Sequence, residues 1–236
     1  MPAATLSRPE FEAVWSALDL GDVPFPLAGA RPPAPEWPVD LATAFARLAE
    51  RGLVVGTRLR DELVDCLTVL ALPERSVDAV GGVGHRLAAL AATARGVAAM
   101  AVADGDEVTV TSIREGSLVE SVVALLPAVP AGPGREVTVP VAVVRRFLDG
   151  QDDAGVPPHA VAALGALAEA RVRGGQFGVN MADPLSGELF RGIPVVSWFD
   201  TVDGRYLMTN DGDTLTVAPA DAAVIAVRLH EVLASG

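Results

Sequence analysis

Asp104-Gly-Asp-Glu-Val-Thr-Val110 returns 107 residues further along the chain as Asp211-Gly-Asp-Thr-Leu-Thr-Val217. In both copies an Asp-Gly turn leads into a segment where Val or Leu alternates with Thr, which is the pattern of a half-buried β-strand. Each copy follows an apolar segment and precedes a helical pattern. The sequence therefore predicts two structurally similar halves, about 1–126 and 135–236, within one domain of residues 1–236.

Working outward from the repeat, the periodicity predicts helices, a meander of strands and a closing helix in each half. For the first half the predicted helices are 9–20, 39–51, 58–72 and 117–126, and the strands are 75–81, 85–93, 96–103 and 107–113. For the second half the predicted helices are 141–148, 158–173 and 219–234, and the strands are 175–182, 189–200, 204–210 and 214–217. Short strands joined by Gly or Asp turns form antiparallel sheets, so an α+β fold with a pseudo-twofold axis is expected.

Two stretches rich in proline interrupt these elements. Residues 23–38 are predicted to be an extended, packed linker, since proline supplies no backbone N–H to a helix or a sheet. Residues 127–135, rich in Pro and Gly, are predicted to be the boundary loop between the halves.

Composition excludes several classes of protein. Half of the 236 residues are hydrophobic, which is enough apolar surface for a substantial core. The net charge of −12 disfavours nucleic acid and anionic lipid as partners. No secretory signal and no membrane-spanning stretch are recognised, so a cytoplasmic protein without membrane insertion is expected. Cys66 is the one cysteine, which excludes an internal disulfide and a zinc site built from thiolates.

A search for reactive groups yields no catalytic residue, no metal site and no cofactor fingerprint. His85, His159 and His230 are far apart in the chain and lack metal-ligand spacing. Cys66 follows Asp65 on an apolar helix and is predicted to be a buried thiol. The aspartates of the repeated turn are typical of hairpin turns and lack the spaced acidic pattern of a calcium loop. The residues alone favour a binding protein over an enzyme.

Several blocks of the sequence resemble the EspG family of actinobacterial ESX secretion-associated proteins. In the second half these blocks are Gly174-Gly-Gln-Phe-Gly-Val179, Val195-Val-Ser-Trp-Phe-Asp-Thr201, Asp203-Gly-Arg-Tyr206 and Val217-Ala-Pro-Ala-Asp221. At the start of the chain, Phe11-Glu-Ala-Val-Trp15 and Leu20-Gly-Asp-Val-Pro-Phe-Pro-Leu27 are similar to the opening of that family.

The resemblance implies a central, mainly antiparallel sheet flanked by helical bundles. It also implies a cytosolic, chaperone-like adaptor of a type VII (ESX) secretion system that keeps a helical substrate soluble for export. Mycobacterial members have a long loop where this chain has short turns at 92–96 and 103–106, so the client is left open between a PE–PPE-like heterodimer and a WxG-type protein. Two alternatives remain at this stage. One is a small-molecule-binding domain or enzyme with a pocket between the halves, and the other is a homodimer formed without a client.

The predicted partner-binding surface follows from strand alternation and from the family's use of its sheet and its C-terminal helical bundle. One sheet face is predicted to carry Gln176, Asn180, Ser197, Phe199, Arg205 and Leu207. The closing helix is expected to add a wall made of Arg228, Glu231 and Val232. Phe177, Trp198 and Tyr206 are predicted to be core aromatics.

Overall fold

A computed structural model describes residues 3–28, 41–148 and 158–235, so most of the predicted proline-rich linker lies outside the described residues. The fold is α+β, with extensive antiparallel sheet and flanking helices, as predicted. The chain divides into two compact units. Unit 1 comprises Met1–Val80, Arg86–Val122 and Asn180–Phe190, and unit 2 comprises Gly81–His85, Val123–Val179 and Arg191–Gly236.

Within the described residues, unit 1 combines four α-helices and a small two-stranded sheet with five strands of the main sheet. Its strands are hydrogen-bonded in the order β1-β7-β6-β5-β4. Its elements are β1 (Ala4–Ser7), α1 (Arg8–Ala17), α2 (Leu41–Glu50), β2 (Val54–Val55), β3 (Arg58–Leu59), α3 (Asp61–Ala71), β4 (Arg75–Gly82), β5 (Arg86–Ala94), β6 (Val97–Asp104), β7 (Glu107–Ser112) and α4 (Leu118–Val123). Alanines of β5 and β6 join the same core as Leu63 and Leu67 of α3, because small side chains let a helix lie close to a sheet.

Unit 2 has the same plan, with strand order β9-β11-β12-β13-β8. Its elements are β8 (Val137–Pro140), α5 (Val141–Leu148), α6 (Pro158–Glu169), β9 (Arg173–Ala182), β10 (Leu189–Arg191), β11 (Val195–Thr201), β12 (Gly204–Asn210), β13 (Thr214–Pro219) and α7 (Ala222–Ala234). The last residues of β9 and the first of β10 belong to unit 1. The single strand predicted at 189–200 is wrong, since Gly192, Ile193 and Pro194 separate β10 from β11.

The sequence repeat is matched by a repeat in strand pairing. In unit 1 the short strand β1 is antiparallel to the repeat strand β7, and in unit 2 β8 is antiparallel to β13. Thr5 Oγ1 lies 3.1 Å from Thr109 Oγ1, and at the equivalent place Thr138 Oγ1 lies 3.0 Å from Thr216 Oγ1. Each repeated Thr/Val strand therefore pairs with an additional edge strand, and neither edge strand was predicted from the sequence.

The repeated Asp-Gly turn also fixes where a helix starts. The carbonyl oxygen of Asp106 accepts a hydrogen bond from the backbone N–H of Arg8 at 2.6 Å, and that of Asp213 accepts one from the N–H of Val141 at 2.8 Å. Arg8 and Val141 are the first residues of α1 and α5. Because the first amides of a helix lack intrahelical acceptors, each turn supplies one of the missing partners.

Helix α1 begins at the predicted capping box. Ser7 Oγ accepts a hydrogen bond from the Glu10 backbone N–H at 3.4 Å, and Glu10 Oε2 accepts one from the Ser7 N–H at 2.8 Å. Arg51 Nη2 lies 2.8 Å from the same Glu10 oxygen. Burial raises the pKa of Glu10, but the hydrogen bonds from Ser7 and Arg51 outweigh it, so the pKa is lowered overall.

Glu10→Gln is expected to reduce stability in a pH-dependent way. A carboxyl group whose pKa is lowered by folding stabilises the protein above its unfolded pKa, near 4.3, and loses that contribution as the pH falls through the folded value. We expect a loss of about 1 kcal/mol in the free energy of unfolding at pH 7 and a smaller loss at pH 3. Urea denaturation of both proteins at the two pH values measures this difference. An equal gap at both would show that the carboxylate charge is not involved.

Candidate functional site: an apolar pocket in unit 2

The hairpin of β11 and β12 decides which side chains of unit 2 share a face of the sheet. Thr201 pairs with Gly204, so a two-residue turn places odd-numbered residues of β11 opposite even-numbered residues of β12. Phe199 is thereby paired with Tyr206, and Trp198 with Leu207. Directly opposed residues of antiparallel strands project to the same side. The prediction that Phe199 shares a face with Arg205 and Leu207 is therefore wrong.

Phe199 lies on the face that α6 covers. Its ring stacks on that of Tyr206 with centroids 5.3 Å apart, and both rings pack with Val217, Met208 and helix residues Leu164 and Leu167. The Tyr206 hydroxyl donates a hydrogen bond to the Pro133 carbonyl oxygen at 2.8 Å, and burial raises the pKa of this phenol. The predicted core position of Tyr206 is confirmed, whereas Phe199, expected on the surface, is 8% exposed.

A cavity of about 260 Å³ lies beside these aromatic residues. Strands β8, β11, β12 and β13 form its floor and helices α5 and α6 its walls. Within the described residues, its lining is apolar apart from one guanidinium and consists of Val139, Val143, Val144, Leu164, Gly165, Leu167, Ala168, Arg171, Phe199, Met208, Leu215 and Val217. We call this cavity the unit 2 pocket. An apolar cleft with few polar groups is the usual form of a binding site.

On the opposite face, Arg205 is part of a buried ionic cluster. Its side chain is fully buried, with Nε 2.7 Å from Asp200 Oδ1 and Nη2 3.1 Å from Asp200 Oδ2. Arg173 Nε approaches the same carboxylate at 2.6 Å. The guanidinium of Arg205 also lies 5.0 Å from the centre of the Trp198 ring, whose predicted core position is confirmed. Arg205 is thus a core residue, contrary to its prediction as an exposed contact.

The same arginine fastens residues 127–133 to the sheet. Arg205 Nη2 donates to the Pro127 carbonyl oxygen at 2.9 Å, and its backbone N–H donates to that of Pro130 at 2.8 Å. Gly132 is required beside it, since a Cβ there would overlap the Tyr206 ring. This part of the predicted boundary loop is therefore held to β12 of unit 2 by hydrogen bonds.

Of the remaining sheet residues of the predicted surface, Gln176, Asn180 and Ser197 are half-buried and Leu207 is buried. Gln176 of β9 pairs with Ser197 of β11, and neither lines the pocket. Asn180 Nδ2 donates to Ser76 Oγ at 3.2 Å and to Asp78 Oδ2 at 3.0 Å within unit 1. Leu207 is 8% exposed, so its predicted outward position is wrong. Of the predicted set, Phe199 is the residue that reaches the pocket.

The three predicted residues of helix α7 lie outside the unit 2 pocket, and contact of Arg228 and Glu231 with a client stays a prediction. Arg228 Nη1 forms an ion pair with Glu231 Oε2 at 2.7 Å, one turn further along the helix, and Val232 is buried. None of the three lines the pocket, whose walls come from α5 and α6. The amphipathic Val-rich sequence of α5 and the alternation Val137, Val139 of β8 were the signals that could have indicated this site.

Groups capable of metal or redox chemistry are sparse in the part of the chain that the structure describes. It holds no group of three or more His, Cys, Asp or Glu side chains placed to bind a metal ion. Cys66 is buried as predicted, and burial raises the pKa of its thiol. Within the described ranges, none of the helices has the length and apolar character needed to cross a membrane.

Comparison with known proteins agrees with the architecture. The sequence profile of the EspG family matches residues 7–231. The chain belongs to the EspG family. The EspG resemblance noted in the sequence is thereby confirmed, and the match runs through both units and includes every strand and helix that forms the unit 2 pocket.

Among solved structures, an EspG protein of Mycobacterium tuberculosis has a similar fold. It is the type VII secretion system chaperone EspG5, solved in complex with a PE25–PPE41 dimer. The TM-score is 0.75 at 17% sequence identity, over 98% of this chain and 95% of that chain. No curated protein sequence matches the chain. The α+β architecture is therefore shared with an EspG chaperone.

Proposed function

We propose that this EspG-family chain is a cytoplasmic chaperone of a type VII (ESX) secretion system, which binds a helical secretion substrate and catalyses no reaction. The observation that carries the proposal is the apolar unit 2 pocket, formed between the sheet face of Phe199 and helices α5 and α6. Membership of the EspG family and the fold shared with EspG5 support it.

The pocket suits a helix end that exposes apolar side chains. An exposed end of this kind would associate with other apolar surfaces in water, and covering it prevents that aggregation. Side chains seated between α5 and α6 would be shielded by the lining of the pocket and by its stacked aromatic floor. A chaperone that binds only the folded client also stabilises that client by mass action, without turnover.

We propose a PE–PPE-like heterodimer as the client, and a WxG-type protein as the second candidate. The EspG5 structure contains a PE25–PPE41 dimer, which favours the first. Both candidates are helical, so the chemistry expected at the pocket is the same: a helix tip with adjacent apolar residues.

Co-expression tests the proposal. The chain is produced together with each PE–PPE pair and each WxG protein encoded beside its gene, and the complexes are analysed by size exclusion with light scattering. We expect one PE–PPE pair to co-elute with one copy of the chain and to be recovered in a larger soluble amount in its presence. A client that is equally soluble without the chain, and never co-elutes with it, would contradict the proposal. The same measurement on the chain alone reports whether it forms a homodimer.

A further inference from the structure

Among the residues that the structure describes, Arg171 is the one charged residue that lines the unit 2 pocket. It lies in the turn after α6, where its backbone N–H donates to the Ala168 carbonyl oxygen at 3.4 Å. Its side chain is exposed, and within the described residues the structure records neither an ion pair nor a side-chain hydrogen bond for it. The pocket therefore combines an apolar lining with one guanidinium that has no partner among the described residues.

The absence of a side chain at Gly174 makes room for this guanidinium. A Cβ on Gly174 would lie 2.9 Å from both Nε and Nη2 of Arg171, and 2.7 Å from the Trp198 carbonyl oxygen. Both distances are shorter than any normal non-bonded contact of a Cβ atom. The Arg171 side chain therefore packs directly against the backbone of β9, where a larger residue than glycine would not fit. Arg171 is thus seated beside the sheet.

The nearby carboxylate in the sheet is not available to Arg171. Asp200 is buried on the other face, where Arg173 and Arg205 both bind it. In a chain with a net charge of −12, the described lining of this pocket nevertheless carries a positive charge. A guanidinium beside apolar surface pairs best with a carboxylate, which it can bind through two parallel hydrogen bonds.

We infer that Arg171 is a specificity-determining residue that selects a carboxylate on the client's helix tip. The client would present one or more apolar side chains to the pocket and an Asp or Glu within one helical turn of them, since residues three or four apart share a helix face. The inference rests on the proposed function and adds a requirement on client chemistry. A client with a neutral or basic residue at that place would be rejected, because the guanidinium would be covered without a partner.

Charge reversal tests the inference. The probe is the PE–PPE heterodimer that co-purifies with the wild-type chain, and its Kd is measured by calorimetry at two salt concentrations. We expect Arg171→Glu to weaken binding by about tenfold or more, and Arg171→Lys to weaken it less. Replacing the matching acidic residue of the client by Arg should restore binding to Arg171→Glu. The matched control is Arg58→Glu, an exposed arginine of β3 in unit 1 with the same change in charge.

The outcomes separate the two proposals. Wild-type affinity in Arg171→Glu, or no rescue by any acidic-to-Arg change at the client's helix tips, would overturn the inference and leave the proposed function intact. If no PE–PPE or WxG client binds the wild-type chain, both fail. The urea midpoint of Arg171→Glu should equal that of the wild type, and a lower midpoint would assign the residue a structural role instead.

Discussion

Replacing Asp200 by alanine is expected to lower the free energy of unfolding by about 3–5 kcal/mol. Its carboxylate is 1% exposed and binds two guanidinium groups, one of which, that of Arg205, is completely buried. Removing the carboxylate leaves the charge of Arg205 uncompensated inside unit 2. Since folded domains are stable by roughly 5–15 kcal/mol, this loss is a large share of the total.

The arrangement around Arg205 makes Asp200 hard to replace. Arg205 Nη1 is buried and has no hydrogen-bond partner in the described part of the chain, so the guanidinium relies on Asp200 and on the Pro127 carbonyl oxygen. Backbone hydrogen bonds of Arg205 also hold residues 127–133 to β12. Loss of Asp200 should therefore also loosen that segment.

Urea denaturation followed by circular dichroism measures the effect. The matched control is Arg228→Ala, which removes an ion pair exposed on α7 and should cost less than about 1 kcal/mol. Arg173→Met, which removes the half-exposed partner of Asp200, should fall between the two. Equal losses for Asp200→Ala and Arg228→Ala would contradict the assignment of a buried ionic cluster.

Ala168→Trp is expected to weaken client binding by about 100-fold, a loss typical of central interface positions. Ala168 is an exposed residue of α6 that lines the unit 2 pocket, so an indole there would occupy the space meant for the client. The change should leave the fold intact, because the new side chain fills a cavity and displaces no core residue.

The same helix offers the control. Ala166 is also exposed on α6 but does not line the pocket, and Ala166→Trp should bind the client as the wild type does. Calorimetry with the co-purified PE–PPE heterodimer gives both values of Kd. Equal binding by the two variants would place the client elsewhere, while equal loss in both would indicate that α6 as a whole tolerates no tryptophan.

Local patterns predicted the elements of this fold well but not its edge strands. The alternation in Val108-Thr109-Val110 and its repeat located β7 and β13, and α5 begins and ends where its periodicity indicated. β1 and β8 are only four residues long. β1 pairs with β7, about a hundred residues further along the chain, and β8 pairs with β13, about eighty residues further along. Long-range pairing of this kind leaves no periodic signal in so short a segment.

The site was only partly predictable, for two physical reasons. Alternation along β11 is enough to place Phe199 on the face opposite Trp198. Deciding whether Arg205 and Leu207 of β12 share that face also requires the register of the hairpin. The two-residue turn between Thr201 and Gly204 sets that register, so the register could have been predicted from the sequence. Burial of Arg205, in contrast, depends on its ion pair with Asp200, and a charged residue on a strand is ordinarily expected to face water.

Photo-cross-linking from the pocket tests most directly whether the client docks in unit 2. A diazirine amino acid about the size of leucine is placed at Val144, which lines the pocket on α5, and in a second protein at Val55, which is exposed in unit 1. Each protein is co-expressed with the PE–PPE pair and irradiated. We predict a covalent adduct between the chain and the PE–PPE client from position 144 and none from position 55. An adduct from position 55 with none from position 144 would contradict docking at the unit 2 pocket.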